Sequence, residues 1–597
     1  MRGALSFCMC LVACVAEAAD EREWGDVGKA EAMGWYEPSA LPAGRDRVVA
    51  EYEGKTFAKA MNVTGYVRAE FEFDPADMAK KPGGYVELHL RGVNGMVNGN
   101  YNRKYPADGK VATKGVLVMD PGTEASFGVL KEASAAEKVT PLRCRLVSTE
   151  LTAVLRHPVD GAEVADNTPD FAWYTEDPLG VTLEVSRDSS FPEGATIRRR
   201  RADAVPFATL DAPLPPGIWH WRVTTGSGYT TDAWTFRQTA SAAADCEPPE
   251  LRCAPGRMAT ATQSYRFTVG SDAVRVAAKF GGELLAVRRR GASAAVLPPK
   301  GGWPVGVSRL LLAAADAKGN VGRAATWVAC APGMPRVVWG GDGERVDVGG
   351  SPFDLVAIYG VDREGDIDRV AALGFNCVQS YARDGGMPDD KSERFLDALE
   401  ARGMKTFVSV NRSDVRRGAY SRIAEKLGRY LPRRCVIAWY LSDEPETHDF
   451  RPVSPTVFRR YCDFVRALDP ERPGIVSHNI ISCAAQRYSG CADVHFSQAY
   501  KKTLADVKAT FESHRRWFGE RQPRMKYSLI VNPRAADSAD EFAAQIEYGR
   551  AHGCGIVVYA WFEALRGAGT MEKLEKGMSV AFPHGARQSP CVSCSTY

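Results

Sequence analysis

A marked excess of either charge is missing from this 597-residue chain: 76 lysines and arginines stand against 73 aspartates and glutamates, a formal net charge of +3. A balanced chain has no global attraction for nucleic acid or an acidic membrane surface, so any charge-driven function must be local. Cysteine is present but unpatterned. Of the 15 residues, Cys8, Cys10 and Cys14 sit at the extreme N-terminus and the rest are scattered, which excludes a dense disulfide scaffold. Beyond the N-terminus no run is apolar enough to cross a bilayer. The nine histidines form no metal-ligand cluster. His-Glu-x-x-His, Gly-x-Ser-x-Gly and Walker loops are absent, which removes zinc-peptidase, serine-hydrolase and P-loop chemistry and leaves no expected cofactor or metal.

What is present begins with an address. Met1-Arg2-Gly3 precedes a short apolar run, residues 4–15, with small residues at Ala16 and Ala18. This is the layout of a secretory signal, expected over residues 1–19, and too short for a comfortable permanent span. Leu11-Val12-Ala13-Cys14 also has the form of a lipobox, so export with Cys14 lipidated is the alternative to soluble export. In an oxidising compartment Cys253 with Cys330, and Cys483 with Cys491, are candidate disulfide pairs. Cys591 and Cys594 form a lone CxxC, without the second half that a zinc site needs.

Length implies roughly three to five domains, and the patterning divides the chain accordingly. Residues 20–155 alternate with period two, as in Tyr66-Val67-Arg68-Ala69-Glu70-Phe71-Glu72-Phe73, and predict a β-sandwich of unknown role. Residues 156–240 resemble a fibronectin type III module through Pro169-Asp170-Phe171-Ala172-Trp173 and Gly217-Ile218-Trp219-His220-Trp221. Residues 246–332 resemble a bacterial immunoglobulin-like domain, with a Lys318-Gly319-Asn320 turn before a last strand over 325–330. The basic runs 198–201 and 288–290 are read first as solvated strand edges that oppose aggregation, and second as contacts for an acidic polysaccharide.

From residue 345 to 582 the pattern changes. Short apolar runs at 355–359, 377–381, 406–410, 436–441, 474–477, 494–497, 527–531 and 556–561 alternate with amphipathic stretches, the mark of parallel βα units. Eight units over this span predict a closed (β/α)8 TIM barrel following the all-β domains, with residues 583–597 as a tail. No glycine-rich phosphate loop follows the first run, which disfavours a doubly wound open sheet.

Trp439-Tyr440-Leu441-Ser442-Asp443-Glu444-Pro445 is similar to the fourth-strand ending of many retaining glycoside hydrolases, and Leu468-Asp469-Pro470-Glu471-Arg472-Pro473 to their approach to strand five. The resemblance implies a hydrolase for a polysaccharide or glycan with Glu444 as acid/base. Glycosidic oxygen leaves only when protonated, so a second carboxylate must act as nucleophile or base. The resemblance places that acid at the end of strand seven, but Val531-Asn532-Pro533 offers none. Glu563 is the substitute expected, at a separation suited to inversion, and Asp384 the weaker one. Asp443 raises the proton affinity of Glu444 or binds a hydroxyl. Tyr359, Tyr381, Tyr500 and Trp561 are candidates for stacking on sugar faces, and Gln379, Asn411, His478 and Asn479 for hydrogen bonds. A non-catalytic glycan-binding barrel is the rival reading, and a lyase for acidic polysaccharides a third.

Overall fold

Strand Gly217–Thr225 buries Trp219, Trp221, Val223 and Thr225 and turns the residues between them outward, the two-residue period of a sheet with one face on a core. The computed structural model describes residues 24–36, 40–53, 143–177, 179–201, 205–341, 343–380, 390–445, 455–478, 490–519 and 524–582, with Val453 and Tyr488, and short strands between 60 and 128. The described residues form two compact units. One takes in those up to Arg47, with Ser148–Pro332 and Ser413–Gly428; the other takes in Val48–Val147, Gly333–Arg412 and those from Arg429 onward.

The first unit holds two sandwiches. In one, a three-stranded sheet (Ala153–His157, Asp170–Thr175, Phe207–Thr209) faces a five-stranded one (Ala162–Val164, Trp234–Gln238, Gly217–Thr225, Val181–Ser186, Ile197–Arg201). Phe171 and Trp173 from the first sheet meet Trp219, Trp221 and Phe236 from the second in one core. Trp221 satisfies its buried indole N–H on the Pro158 carbonyl at 3.2 Å. The basic run is ion-paired at three of its four positions: Arg198 to Glu184 at 2.9 Å, Arg199 to Asp211 at 2.7 Å and Arg201 to Asp26 at 2.6 Å. Arg289 of the second run braces backbone carbonyls, at 2.8 Å from Gly291 and 3.2 Å from Gly270.

In the other sandwich, Gly306–Ala315 and Val321–Cys330 pair as a ten-residue antiparallel hairpin, so the last strand starts at Val321, earlier than expected. Asp316 closes its turn by accepting from the Lys318 and Asn320 N–H groups at 2.8 and 2.9 Å.

Two expectations are corrected here. Cys253 and Cys330 share this core with no disulfide between them. Cys253 Sγ lies against the Ala325 carbonyl, 4.0 Å away. Cys330 is five residues further along the same strand, about 16 Å at ~3.3 Å per residue, too far to bridge. Ahead of strand Arg45–Glu53, residues 24–32 are helical, not β. Trp24, Val27, Ala30 and Glu31 are buried on one face, a spacing of three and four that sits beneath the alternation seen further on. Cys14 and the leader, Cys483, Cys591 and Cys594 lie outside the described residues. Among the described residues no helix is long and apolar enough to cross a membrane.

In the second unit, eight parallel strands close into a barrel: β1 (Val356–Tyr359), β2 (Cys377–Gln379), β3 (Lys405–Val408), β4 (Val436–Asp443), β5 (Gly474–His478), β6 (Val494–Gln498), β7 (Lys526–Val531) and β8 (Ile556–Val558). Helices α1 (Ile367–Ala372), α2 (Asp390–Ala401), α3 (Arg412–Arg417), α4 (Tyr420–Tyr430), α5 (Pro455–Leu468), α6 (Leu504–Gly519) and α7 (Ala539–His552) lie in its connections, and α8 (Trp561–Arg566) and α9 (Ala568–Ala581) follow β8. This is the layout of a TIM barrel. The strands read as unbroken apolar runs because both their faces are covered.

Inside, Tyr359, Phe407, Tyr440 and Phe496 form an aromatic layer with ring centroids 5.4–6.2 Å apart. A small antiparallel sheet (Val337–Val338, Val346–Val348, Ser351–Phe353) joins the same core, and Trp339 Nε1 donates to Ser528 Oγ at 3.1 Å. Under β4, Asp469 accepts from Trp439 Nε1 at 2.8 Å and from Arg472 Nε at 2.5 Å. Arg472 also donates to the Leu431 and Val436 carbonyls at 2.5 and 3.3 Å.

Candidate active site

Parity governs which side chains reach the barrel mouth. Inward positions on a strand recur every second residue, so the residue two beyond the last apolar inward one stands at the C-terminal rim, where such barrels place their chemistry. On β6 this takes Phe496 to Gln498, on β7 Ile530 to Asn532, and on β8 Val557 to Tyr559.

β4 departs from the rule. Its pairing with β5 shifts register between Tyr440 and Ser442, and the bulge re-aims the strand end. Asp443 thereby turns into the mouth although it is three residues from the inward Tyr440. Its Oδ1 accepts from Tyr440 Oη at 3.0 Å and from Gln498 Nε2 at 3.3 Å. Gln498 is itself fixed on Ser477 Oγ at 2.8 Å. Arg412, at the top of β3, clamps the strand end from the other side by donating to the Asp443 carbonyl at 2.5 Å and Ser442 Oγ at 3.2 Å.

Glu444 follows with φ +45°, in the left-handed region that a non-glycine residue enters only at a cost. Its N–H is tied to the Ser477 carbonyl at 2.9 Å, so the conformation is held by β5. The residue is half-buried.

Across the barrel, Glu563 stands in the first turn of α8, also half-buried. Asn532 Nδ2 donates to its Oε2 at 3.2 Å and Arg534 Nη1 lies 3.5 Å from its Oε1. The end of β7 therefore supplies a donor to the carboxylate of α8 instead of a carboxylate of its own. Tyr500 and Tyr559 stack between the two sides with centroids 5.2 Å apart. Burial, then the charges of Asp443 and Glu444 among their neighbours, push the Tyr500 hydroxyl well above its ordinary value. Burial, then Glu563, Asp443 and Glu444, push Tyr559 up to about 12. Both phenols stay protonated as donors, and both feel the carboxylates of the mouth. Behind them, Gly360 has φ +76° and lies so close to the Phe562 ring that no side chain fits.

The structure thus brings Asp443, Glu444, Glu563, Tyr359 and Tyr500 together. Gln379 ends β2 on the inward side, fully buried, and Asn411 sits partly exposed beside Arg412 at the top of β3.

Two sequence candidates stand elsewhere. His478 is on the outer face of β5, stacked on His495 at 5.3 Å and on Phe518 of α6 at 5.4 Å, because inward Ser477 precedes it. Trp561 begins α8 rather than ending β8; it is 1% exposed, with the Arg369 guanidinium 5.2 Å from its ring. Tyr381, Asp384 and Asn479 lie outside the described residues. Gln498, Asn532, Tyr559 and Arg412 were not singled out in the sequence; parity counted from the inward apolar residue of β6, β7 and β8 finds the first three. Among the described residues no group of three His, Cys, Asp or Glu side chains is arranged to hold a metal.

No protein-family profile matches the chain, and no curated protein matches it. Among solved structures it is similar to a GH2 β-galacturonidase from Eisenbergiella tayi bound to galacturonate, with 10% identity over 88% of this chain and 91% of that one and a TM-score of 0.30. It is also similar to a glycosyl hydrolase family 2 member from Bacteroides cellulosilyticus DSM 14838, with 12% identity, 84% and 58% coverage and a TM-score of 0.28. A third is a β-glucuronidase from Parabacteroides merdae with glycerol in its active site, with 9% identity, 85% and 62% coverage and a TM-score of 0.29. At such identities and scores these likenesses decide neither fold nor activity.

Proposed function

We propose that the barrel is a glycoside hydrolase acting on a polysaccharide or glycan, with Glu444 as general acid. The observation that carries this is the end of β4. A bulge and a left-handed Glu444, both held by hydrogen bonds, present two adjacent carboxylates at the mouth opposite Glu563. Strained backbone at a polar rim is where function accepts a local cost. Glu444 protonates the leaving glycosidic oxygen as the bond breaks. Glu563, oriented by Asn532 and Arg534, acts as base toward water or as nucleophile. The tyrosines offer ring faces to sugar C–H surfaces and hydroxyls to sugar oxygens. The β domains, with their fibronectin type III and immunoglobulin-like resemblance, serve as spacers, and the chain is exported by its leader with or without a lipidated Cys14.

Glu444→Gln preserves shape and removes the transferable proton. It should cost on the order of 10²–10⁴ in kcat on any glycan the wild type cleaves while leaving glycan binding intact. Wild-type turnover in this variant would remove Glu444 from the mechanism. A second reading, a glycan-binding barrel without turnover, is favoured by one observation: Asn532 stands where an acid is missing from β7 and ties up Glu563. Binding on a glycan panel without turnover by the wild type would establish it.

A further inference from the structure

Cys491 does not stand with Cys483 alone as a possible partner. Its thiol and that of Cys462, in the middle of α5, are close enough to perturb one another, and both are buried and free. The backbone around the two is clamped. Arg466, one turn after Cys462, donates Nη2 to the Cys491 carbonyl at 3.2 Å, and its guanidinium lies 3.6 Å from Asp493. Cys491 N–H donates to the Tyr488 carbonyl at 3.4 Å, and Tyr488 Oη donates to the Val453 carbonyl at 2.6 Å.

Among the described residues, two other pairs are too widely separated to bridge. Cys253 and Cys330 are separated along one strand. Cys377 and Cys435 lie at the starts of β2 and β4 with β3 between them, about 10 Å at ~4.8 Å per strand.

We propose that Cys462 and Cys491 form a disulfide in an oxidising compartment, a covalent staple from α5 to the start of β6 that encloses β5. The oxidant is a disulfide of the thiol-exchange class, either glutathione disulfide or an oxidised dithiol protein. The Cys491 thiolate attacks one sulfur of that disulfide, forming a mixed disulfide and expelling one thiolate. Cys462 then attacks the Cys491 sulfur, forming the internal S–S bond and expelling the second thiol. Two protein thiols lose two electrons and two protons, and the oxidant disulfide gains them as two thiols. Interaction with Cys462 holds the Cys491 thiol below its ordinary value while burial holds Cys462 above it, which favours Cys491 as the first nucleophile. The enclosed β5 carries the Ser477 carbonyl that holds Glu444, so the staple fixes the strand on which the rim is built.

The test takes the full chain through glutathione redox buffers, both folded and during refolding from urea, then quenches with acid, alkylates under denaturant and maps peptides. Cys462 and Cys491 should lose alkylation together and appear as one cross-linked peptide pair, while Cys253, Cys330, Cys377, Cys435 and Cys554 stay alkylatable. Closing a loop of roughly 30 residues should raise the melting temperature of the barrel, read from hydrogen exchange on peptides covering β5 and β6, by about 5–10 °C over the reduced protein. Cys462→Ala and Cys491→Ala should each abolish that rise. Recovery of Cys491 linked to Cys483, persistence of both thiols under oxidation by either route, or cross-linking with no rise in melting temperature would each overturn the proposal.

Discussion

Removing the Asp469 carboxylate should unfold the barrel more readily than any change at its mouth. Asp469 is 1% exposed and Arg472 5% exposed, and the pair meets at 2.5 Å with the Trp439 indole N–H on the same oxygen. In Asp469→Ala the guanidinium stays buried beneath β4 with backbone carbonyls to bond but without the carboxylate it meets at 2.5 Å. Breaking a buried pair by deleting one partner costs about 3–5 kcal/mol, most of it the penalty of the stranded charge. Asp469→Asn keeps an acceptor for Trp439 and should cost about 1–3 kcal/mol. Replacing both members, Asp469→Leu with Arg472→Met, should recover most of the loss, because an apolar pair needs no compensation. Two compact units make a single transition a poor measure. Urea-dependent hydrogen exchange on peptides covering β4 and β5 isolates the local free energy. A loss under 1 kcal/mol in Asp469→Ala, or a double variant no better than the single, would refute the reasoning.

Acid should weaken the same barrel wall. Burial, then His478 and His514, holds His495 well below the usual histidine range, and burial, then His478 and Lys501, holds His514 at about 3. Unfolded histidine titrates near 6.5, so the unfolded chain takes up protons first. Stability is full above about pH 6.5 and falls by roughly 1.4 kcal/mol per pH unit per histidine below it, some 4 kcal/mol for the pair by pH 5. Urea-dependent hydrogen exchange on peptides covering β6 and α6, followed against pH, measures this slope, and His495→Phe should about halve it; an unchanged slope would count against the assignment. At the mouth, Gln498→Ala removes the donor that positions Asp443 and should lower kcat about tenfold with little change in KM, since the geometry rather than the affinity is lost. A rise in KM alone would make Gln498 a substrate contact instead.

How much of this was legible depends on what each feature is made of. The barrel strands are unbroken apolar runs, and burial on both faces writes such runs directly into the sequence, so all eight were found near their places. Strand ends are not written that way. Residues 556–561 read as one run, yet the strand stops at Val558 and Trp561 opens a helix, which turns its ring away from the mouth and leaves Tyr559 as the aromatic at the rim. His478 failed for the same reason: one residue beyond inward Ser477, it belongs to the outer face, where it joins two other imidazoles against α6. The Cys253 pairing failed on register, which local sequence does not carry.

The β4 rim shows where pattern reading stops and why. Counting by two from Tyr440 aims Ser442 and Glu444 inward and Asp443 outward. The bulge between Tyr440 and Ser442 reverses this for Asp443, and no residue type in Leu441-Ser442-Asp443 demands a bulge. It is held by side chains beyond that tripeptide, Gln498 at the end of β6 and Tyr440 earlier in β4 on the carboxylate, and Arg412 at the top of β3 on the carbonyl. Glu444 is then left with φ +45°, a conformation worth about 1–2 kcal/mol against it, which glycine would adopt freely. Stability alone would select glycine at that position. A glutamate there, with its N–H secured on Ser477, carries that strain for its side chain, which is what the proposed general-acid role requires of a carboxylate at the rim.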